Sequence, residues 1–199
     1  MAKTKRTGKA ERTTRETSVK AEVALDGSGK ASLNTPVGFL NHMLELLARH
    51  ARFDVSVEAS GDVQVDAHHT SEDVGIVLGE AFRKALGGKE GIVRFADARV
   101  PMQDSLATVA VDVSGRPLLI FSAQFPTDKV GEFDVELVPE FLQAFVTNAA
   151  ITLHVDVVRG SNSHHMAEAI FKATARALRA AIAIDAEAAG EVPSTKGTL

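Results

Sequence analysis

Asp66-Ala67-His68-His69-Thr70-Ser71-Glu72-Asp73 opens a segment with helical apolar spacing, and the same figure returns at His164-His165-Met166-Ala167-Glu168. Each copy is a pair of adjacent histidines followed by a glutamate one helical turn on. Together they hold four of the chain's seven histidines. His68 and His164 stand 96 positions apart, and Arg83 and Arg179 keep that separation. A motif recurring at a fixed interval is the mark of a duplicated unit.

Read outward from the first copy, the flanking elements fit such a unit. Residues 12–25 read as a strand that enters a turn at Asp26-Gly27-Ser28-Gly29, with a second short strand to Thr35. Phe39, Leu40, Met43, Leu44 and Leu47 fall at helical spacing, giving a helix to about His50. Residues 53–59 and 63–67 alternate apolar with polar around Ser60-Gly61-Asp62, a hairpin pattern. A helix then runs from the histidine pair through Leu86 and stops at Gly87-Gly88. The second half replays this order. Strands at 94–100, 106–113 and 118–123 precede a helix at 138–149, a strand at 151–158 and an Ala-rich helix ending near Gly190. The expected organisation is a basic tail at 1–11, half-repeats at 12–91 and 92–190, and a C-terminal tail at 191–199. Each half places helices over a mostly antiparallel sheet, an α+β arrangement.

Composition narrows the chemistry. The chain has 199 residues, no cysteine and a formal net charge of −4. Without thiols, any metal must be held by nitrogen and oxygen, which suits Mn, Fe or Zn over Cu(I). No apolar run approaches the ~20 residues a membrane span needs. The whole-chain charge recruits neither nucleic acid nor an anionic membrane, and the absence of Trp and Tyr argues against platforms for stacking bases. The first twenty residues carry seven Lys/Arg against two Glu, but no apolar stretch of a secretory signal follows. A cytoplasmic location is expected.

Helical geometry says how the histidines can act. Residues three or four apart share a face, so Glu72 sits beside His68 or His69. Adjacent residues diverge by ~100°, so neighbouring histidines do not readily chelate one ion. The economical arrangement is two ions, with each pair giving one imidazole to each. An earlier helix in each half adds His42, 26 residues before His68, and Glu140, 24 residues before His164. About four protein ligands per ion then leave positions open for a substrate. Asp66 and Asp73 flank the first pair and are candidates for orienting its imidazoles.

Gly38-Phe39-Leu40-Asn41-His42-Met43, His50-Ala51-Arg52-Phe53-Asp54, the two histidine segments, Ser114-Gly115-Arg116-Pro117 and Pro193-Ser194-Thr195-Lys196-Gly197 resemble imidazoleglycerol-phosphate dehydratase. The likeness runs from about Arg12 to the C-terminus. It implies dehydration of imidazole glycerol phosphate to imidazole acetol phosphate in histidine biosynthesis, with two Mn(II) ions per active site. It also implies a duplicated fold of the ribosomal protein S5 domain 2-like kind, and a homo-oligomer of 24 subunits built from trimers with sites at subunit contacts. Carried over by motif, His42, His68, His69, Glu72, His164, His165 and Glu168 are metal ligands, with Glu140 standing where many members have His. Glu16 matches an acid–base residue, and Glu72 and Glu168 complete the catalytic carboxylates. His50, Arg94, Arg116, Lys172, Ser194 and Lys196 are substrate or phosphate contacts. Pro101-Met102-Gln103-Asp104 departs from the Pro-Met-Asp-Glu of many members, which leaves the role of Gln103 and Asp104 open.

The proton lost in this dehydration sits on a weakly acidic carbinol carbon, poorly matched to a lone general base. If two ions bound both ring nitrogens as imidazolate, ring electrons could expel the neighbouring hydroxyl, and the carbon-bound proton, then acidified, could pass to Glu16. The competing classes are a two-metal phosphate-ester hydrolase and a metal-storage protein. A store has no need of a phosphate-binding set, and a hydrolase would use more bridging carboxylates and fewer imidazoles.

Overall fold

The computed structural model describes residues 6–188 and 190–197. In chain order the first half comprises β1 (Thr7–Thr13), β2 (Thr17–Ala24), β3 (Ala31–Asn34), α1 (Gly38–Ala51), β4 (Asp54–Gly61) and α2 (His68–Leu86). The second comprises β5 (Phe95–Met102), β6 (Ser105–Asp112), β7 (Leu118–Ser122), a short pair β8 (Lys129–Val130) and β9 (Phe133–Asp134), α3 (Leu137–Ala149), β10 (Thr152–Arg159) and α4 (Ser163–Ala181). Strand order is β1-β2-β4-β3 in one sheet and β5-β6-β10-β7 in the other. In both, the last pairing is parallel and the rest antiparallel. The duplication read from the histidine motifs is therefore a duplication of topology.

One face of each sheet carries the alternating apolar set (Val19, Ala21 and Val23 on β2; Ala107, Val109 and Val111 on β6), and the helices cover it. The helices then pack across the halves, α1 on α4 and α2 on α3, so that they lie between the two sheets. Gly75 and Gly79 make the second contact close. A Cβ at Gly75 would lie 2.7 Å from the carbonyl oxygen of Phe141, and one at Gly79 2.5 Å from that of Phe145. Phenylalanine rings run through the seam: Phe53 meets Phe82, Phe82 meets Phe145, Phe145 stacks on Phe141, and Phe141 meets Phe171. The result is one core rather than two.

Several expectations need correction. Residues 12–25 are not one strand: the chain turns at Thr14-Arg15-Glu16, where the Thr14 hydroxyl accepts from the backbone N–H groups of Glu16 and Thr17. Residues 7–11, expected as tail, belong to β1, where Gly8 and Ala10 face inward and Lys9 and Glu11 outward. Such small inward residues leave little hydrophobic signal. Residues 63–67 form no strand. Val65 donates its N–H to the Asp62 carbonyl in a turn, and both Val63 and Val65 are exposed along a cleft beside His42. The last helix stops at Ala181, after which the Asp185 N–H returns to Gly91 and Ile184 bridges to Ile92. The outermost parts of the expected tails, residues 1–5 and 198–199, lie outside the described residues.

Candidate metal centre

α1 and α4 run side by side, and this brings His42 in the second turn of one to the first turns of the other. His42 Nε2 lies 2.9 Å and His164 Nε2 3.0 Å from the same Glu168 oxygen, Oε1. The ring of Phe39 packs edge-on against both imidazoles. Glu168 is only 7% exposed, and its other oxygen takes a 2.5 Å hydrogen bond from Lys172 Nζ. Burial pushes the Glu168 carboxyl up, but hydrogen bonds from Lys172, His42 and His164 outweigh it and hold the group down at about 2. The carboxylate is thus a fixed anion at neutral pH. Its oxygen and the two imidazole nitrogens lie within 4.8 Å of one another, as a cation would need. Two nitrogens and a carboxylate oxygen suit a borderline-to-hard divalent ion.

Among the described residues this is the one group of three or more such side chains gathered within a chain. The other expected ligands are placed elsewhere. His165 points its Nδ1 at Asp104 Oδ1, 2.6 Å away. His69 directs Nδ1 at Asp62, 3.0 and 3.3 Å from its two oxygens, and this hydrogen bond raises the imidazole's pKa. Glu16 stands off at 3.8 Å from the same nitrogen, with its side chain about half exposed. His68 opens α2 and Glu72 stands one turn further along it, while Glu140 lies in the first turn of α3.

Asp66 and Asp73 do not orient imidazoles. Asp66 accepts from the backbone N–H of His68 at 2.7 Å and so holds the start of α2. Buried Asp73 takes Arg12 Nε at 2.8 Å and the Thr17 hydroxyl, tying the β1–β2 turn to that helix. Besides Glu168, the carboxylates that touch imidazoles are Asp62 and Asp104, and neither was expected from sequence to make that contact. Their signal was positional, since both sit in turns that face a histidine pair only once the strands are aligned.

The expected phosphate contacts fall into two places. Lys172 and His50 are at the metal end of α4, and burial together with the charges of Lys172, Arg176 and Arg49 lowers the His50 pKa. Arg94 lies at the opposite end. Its backbone N–H donates to the Ala181 carbonyl, its Nε reaches Asp112 Oδ1 at 2.8 Å, and its Nη1 reaches the Pro193 carbonyl at 2.7 Å. Arg116 joins it through Asp112 at 3.6 Å. Ser194 Oγ accepts from the Lys196 N–H, in a turn closed by Gly197 N–H on the Ser194 carbonyl. Arg94, Arg116, Ser194 and Lys196 therefore form one basic corner around the docked C-terminal segment. Glu168 and Ala181 are thirteen residues apart on α4, so the metal group and this corner are separated by about 20 Å at 1.5 Å per residue.

Comparison with known proteins places this geometry. A family model described as imidazoleglycerol-phosphate dehydratase matches residues 35–178. The chain is 61% identical over 188 residues to the imidazoleglycerol-phosphate dehydratase of Azorhizobium caulinodans, covering 94% of this chain and 95% of that one. It is 58% identical over 194 residues to that of Rhodopseudomonas palustris strain HaA2, covering 98% of each. Among solved structures, that of the Staphylococcus aureus imidazoleglycerol-phosphate dehydratase superposes with a TM-score of 0.82 at 42% identity, over 90% of this chain and 99% of that one. The Pyrococcus furiosus protein in complex with (S)-C348 gives 0.81 at 35%, over 95% and 99%.

Proposed function

The chain belongs to the imidazoleglycerol-phosphate dehydratase family, and from that premise we propose how its residues divide the work. The reaction is the hydro-lyase step of histidine biosynthesis, from imidazole glycerol phosphate to imidazole acetol phosphate. Two Mn(II) ions per site, held by His42, His68, His69, Glu72, His164, His165 and Glu168 with Glu140 as a further candidate, would supply Lewis acidity at the substrate's ring nitrogens.

The chain's own groups do the rest. Lys172 keeps Glu168 ionised and in place as a ligand. Glu16, half-exposed at the β1–β2 turn and engaged by no imidazole at short range, takes the proton from the substrate carbon and returns one when the enol becomes the ketone. Arg94, Arg116, Ser194 and Lys196 grip the phosphate, whose binding energy holds the reacting carbon in register.

A complete site draws on more than one chain, and one observation carries this part of the reading. Metal end and phosphate corner sit at opposite ends of α4, about 20 Å apart at 1.5 Å per residue. A substrate whose imidazole and phosphate are joined by three carbons cannot bridge that gap. Residues from a second copy must supply what the first cannot reach, as in a homo-oligomer of 24 subunits with sites at subunit contacts. None of the described helices is long and apolar enough to cross a membrane, in keeping with an enzyme working in the cytoplasm on a small phosphorylated substrate.

The test is metal-free protein with Mn(II) restored, given imidazole glycerol phosphate. Loss of water without release of phosphate is the expected result. Free inorganic phosphate would mean a hydrolase, and Mn(II) uptake with no turnover a metal store.

A further inference from the structure

The two halves can be aligned at the turns that face the histidines. A Cβ on Gly61 would meet Thr70 and Thr17, and a Cβ on Gly160 would meet Met166 and Ser105. Thr70 and Met166 keep the 96-residue spacing of the repeat. Thr17 is therefore the counterpart of Ser105, and Gly61 of Gly160. One residue before the first pair lie Glu16 and Asp104. One residue after the second lie Asp62 and Ser161.

These equivalent positions carry different chemistry. In the second half the hairpin-turn carboxylate, Asp104, takes His165 Nδ1 on Oδ1 at 2.6 Å. Its other oxygen is locked by Ser161 N–H at 2.6 Å, Ser161 Oγ at 3.0 Å and Asn162 N–H at 3.1 Å. In the first half the hairpin-turn carboxylate, Glu16, is 3.8 Å from His69 Nδ1. There the contact is made by Asp62, the residue standing where the second half has Ser161. A carboxylate only accepts, so each imidazole presents Nδ1–H to it, and the neutral ring then carries its lone pair on Nε2.

We propose that Asp104 and Asp62 are positioning residues that hold His165 and His69 with Nε2 available to a cation, and that Asp62, by making this contact from a different segment, releases Glu16 from the role its counterpart Asp104 fills. The duplication thus supplied one carboxylate too many at the first histidine pair, and the spare one is free for proton transfer. This rests on the reading of His69 and His165 as ligands and of Glu16 as the acid–base group.

Mn(II) titration of the metal-free protein, with free ion read from its six-line EPR signal, tests it without reference to turnover. Asp104→Asn keeps an oxygen for the Ser161 and Asn162 amides but turns an NH2 group toward His165, forcing the ring proton onto Nε2. Thermal stability is expected to stay near that of the unsubstituted protein while Mn(II) affinity falls roughly 10–100-fold. Asp62→Ala, which removes the acceptor from His69 Nδ1 altogether, is expected to do the same through His69. Glu16→Gln, at the position equivalent to Asp104, is expected to leave the Mn(II) isotherm unchanged while abolishing turnover. An unchanged isotherm for Asp104→Asn or for Asp62→Ala, or one weakened by Glu16→Gln as much as by Asp62→Ala, overturns the inference. Failure of the unsubstituted protein to take up Mn(II) would instead remove the metal reading beneath it.

Discussion

Glu16 and Asp104 show how much one position can change between copies of a unit. Both precede the first inward residue of a central strand, and both face the second histidine of a pair. Asp104 is engaged on both oxygens, first by the Ser161 amide and then by His165, which hold its carboxyl far below the ordinary carboxylate range. Glu16 has no such clamp and is about half exposed. As a proton-transfer group it should account for much of the rate, so Glu16→Gln is expected to lower kcat by about 10²–10⁴-fold with little effect on KM. Steady-state kinetics check this, and a KM effect alone would make Glu16 a binding residue. Asp54 is a carboxylate of the opposite kind, built only for structure. Its Oδ1 accepts from the backbone N–H groups of Ser28, Gly29 and Lys30 at 2.8, 3.1 and 3.0 Å, which lowers its pKa below the ordinary 3.8. A depressed carboxyl contributes stability that is present above its unfolded value and lost as pH falls through the folded one. Stability is therefore expected to decline below about pH 4, and Asp54→Asn should flatten that decline in denaturant melts taken across pH.

At the scale of elements, what was legible in the sequence is what periodicity and motif could carry. The histidine-headed helices α2 and α4 show clear apolar spacing, and α4 begins at a capping residue, Asn162, which accepts from the His165 N–H at 3.1 Å, whereas Ala67 at the start of α2 offers no side-chain cap. β1 was lost because its inward residues are Gly8 and Ala10, too small to register as an apolar alternation. The strand expected at 63–67 failed for the converse reason. Val63 and Val65 alternate as a strand would, yet they line an open cleft. At the site, every ligand candidate was visible as a residue type. The partnership of His42 with α4 was not, because it depends on α1 crossing to the other half, which no local pattern encodes. Elsewhere the two halves are fastened by the phenylalanine seam, which joins α2 to α3 and α3 to α4. Phe145 is 2% exposed and touches both Phe82 and Phe141, so Phe145→Ala is expected to cost about 3–5 kcal/mol by chemical denaturation. A cost under about 1 kcal/mol would mean that the halves are not held by this core.

The whole molecule is a pair of sheet-and-helix halves whose shared core leaves the His42, His164 and Glu168 group at one end of α4 and the basic corner of Arg94, Arg116 and Lys196 at the other. Its first sheet turns a polar outer face to solvent, with Lys9, Glu11, Lys20, Glu22 and Glu58. The second presents Phe95, Leu118, Ile120 and Val158, all exposed in the single chain. Such a difference between duplicated faces suits a subunit whose chemistry is finished by its neighbours. The most direct measurement coproduces two variants in equal amount: Glu168→Gln, which damages the metal end, and Arg94→Ala, which damages the phosphate corner. Each alone is expected to be inactive. If every site takes its metal ligands from one chain and its phosphate grip from another, random assembly leaves roughly a quarter of sites intact, and mixed oligomers should recover about that share of normal activity. Mixed oligomers no more active than either variant alone would contradict a site shared between chains.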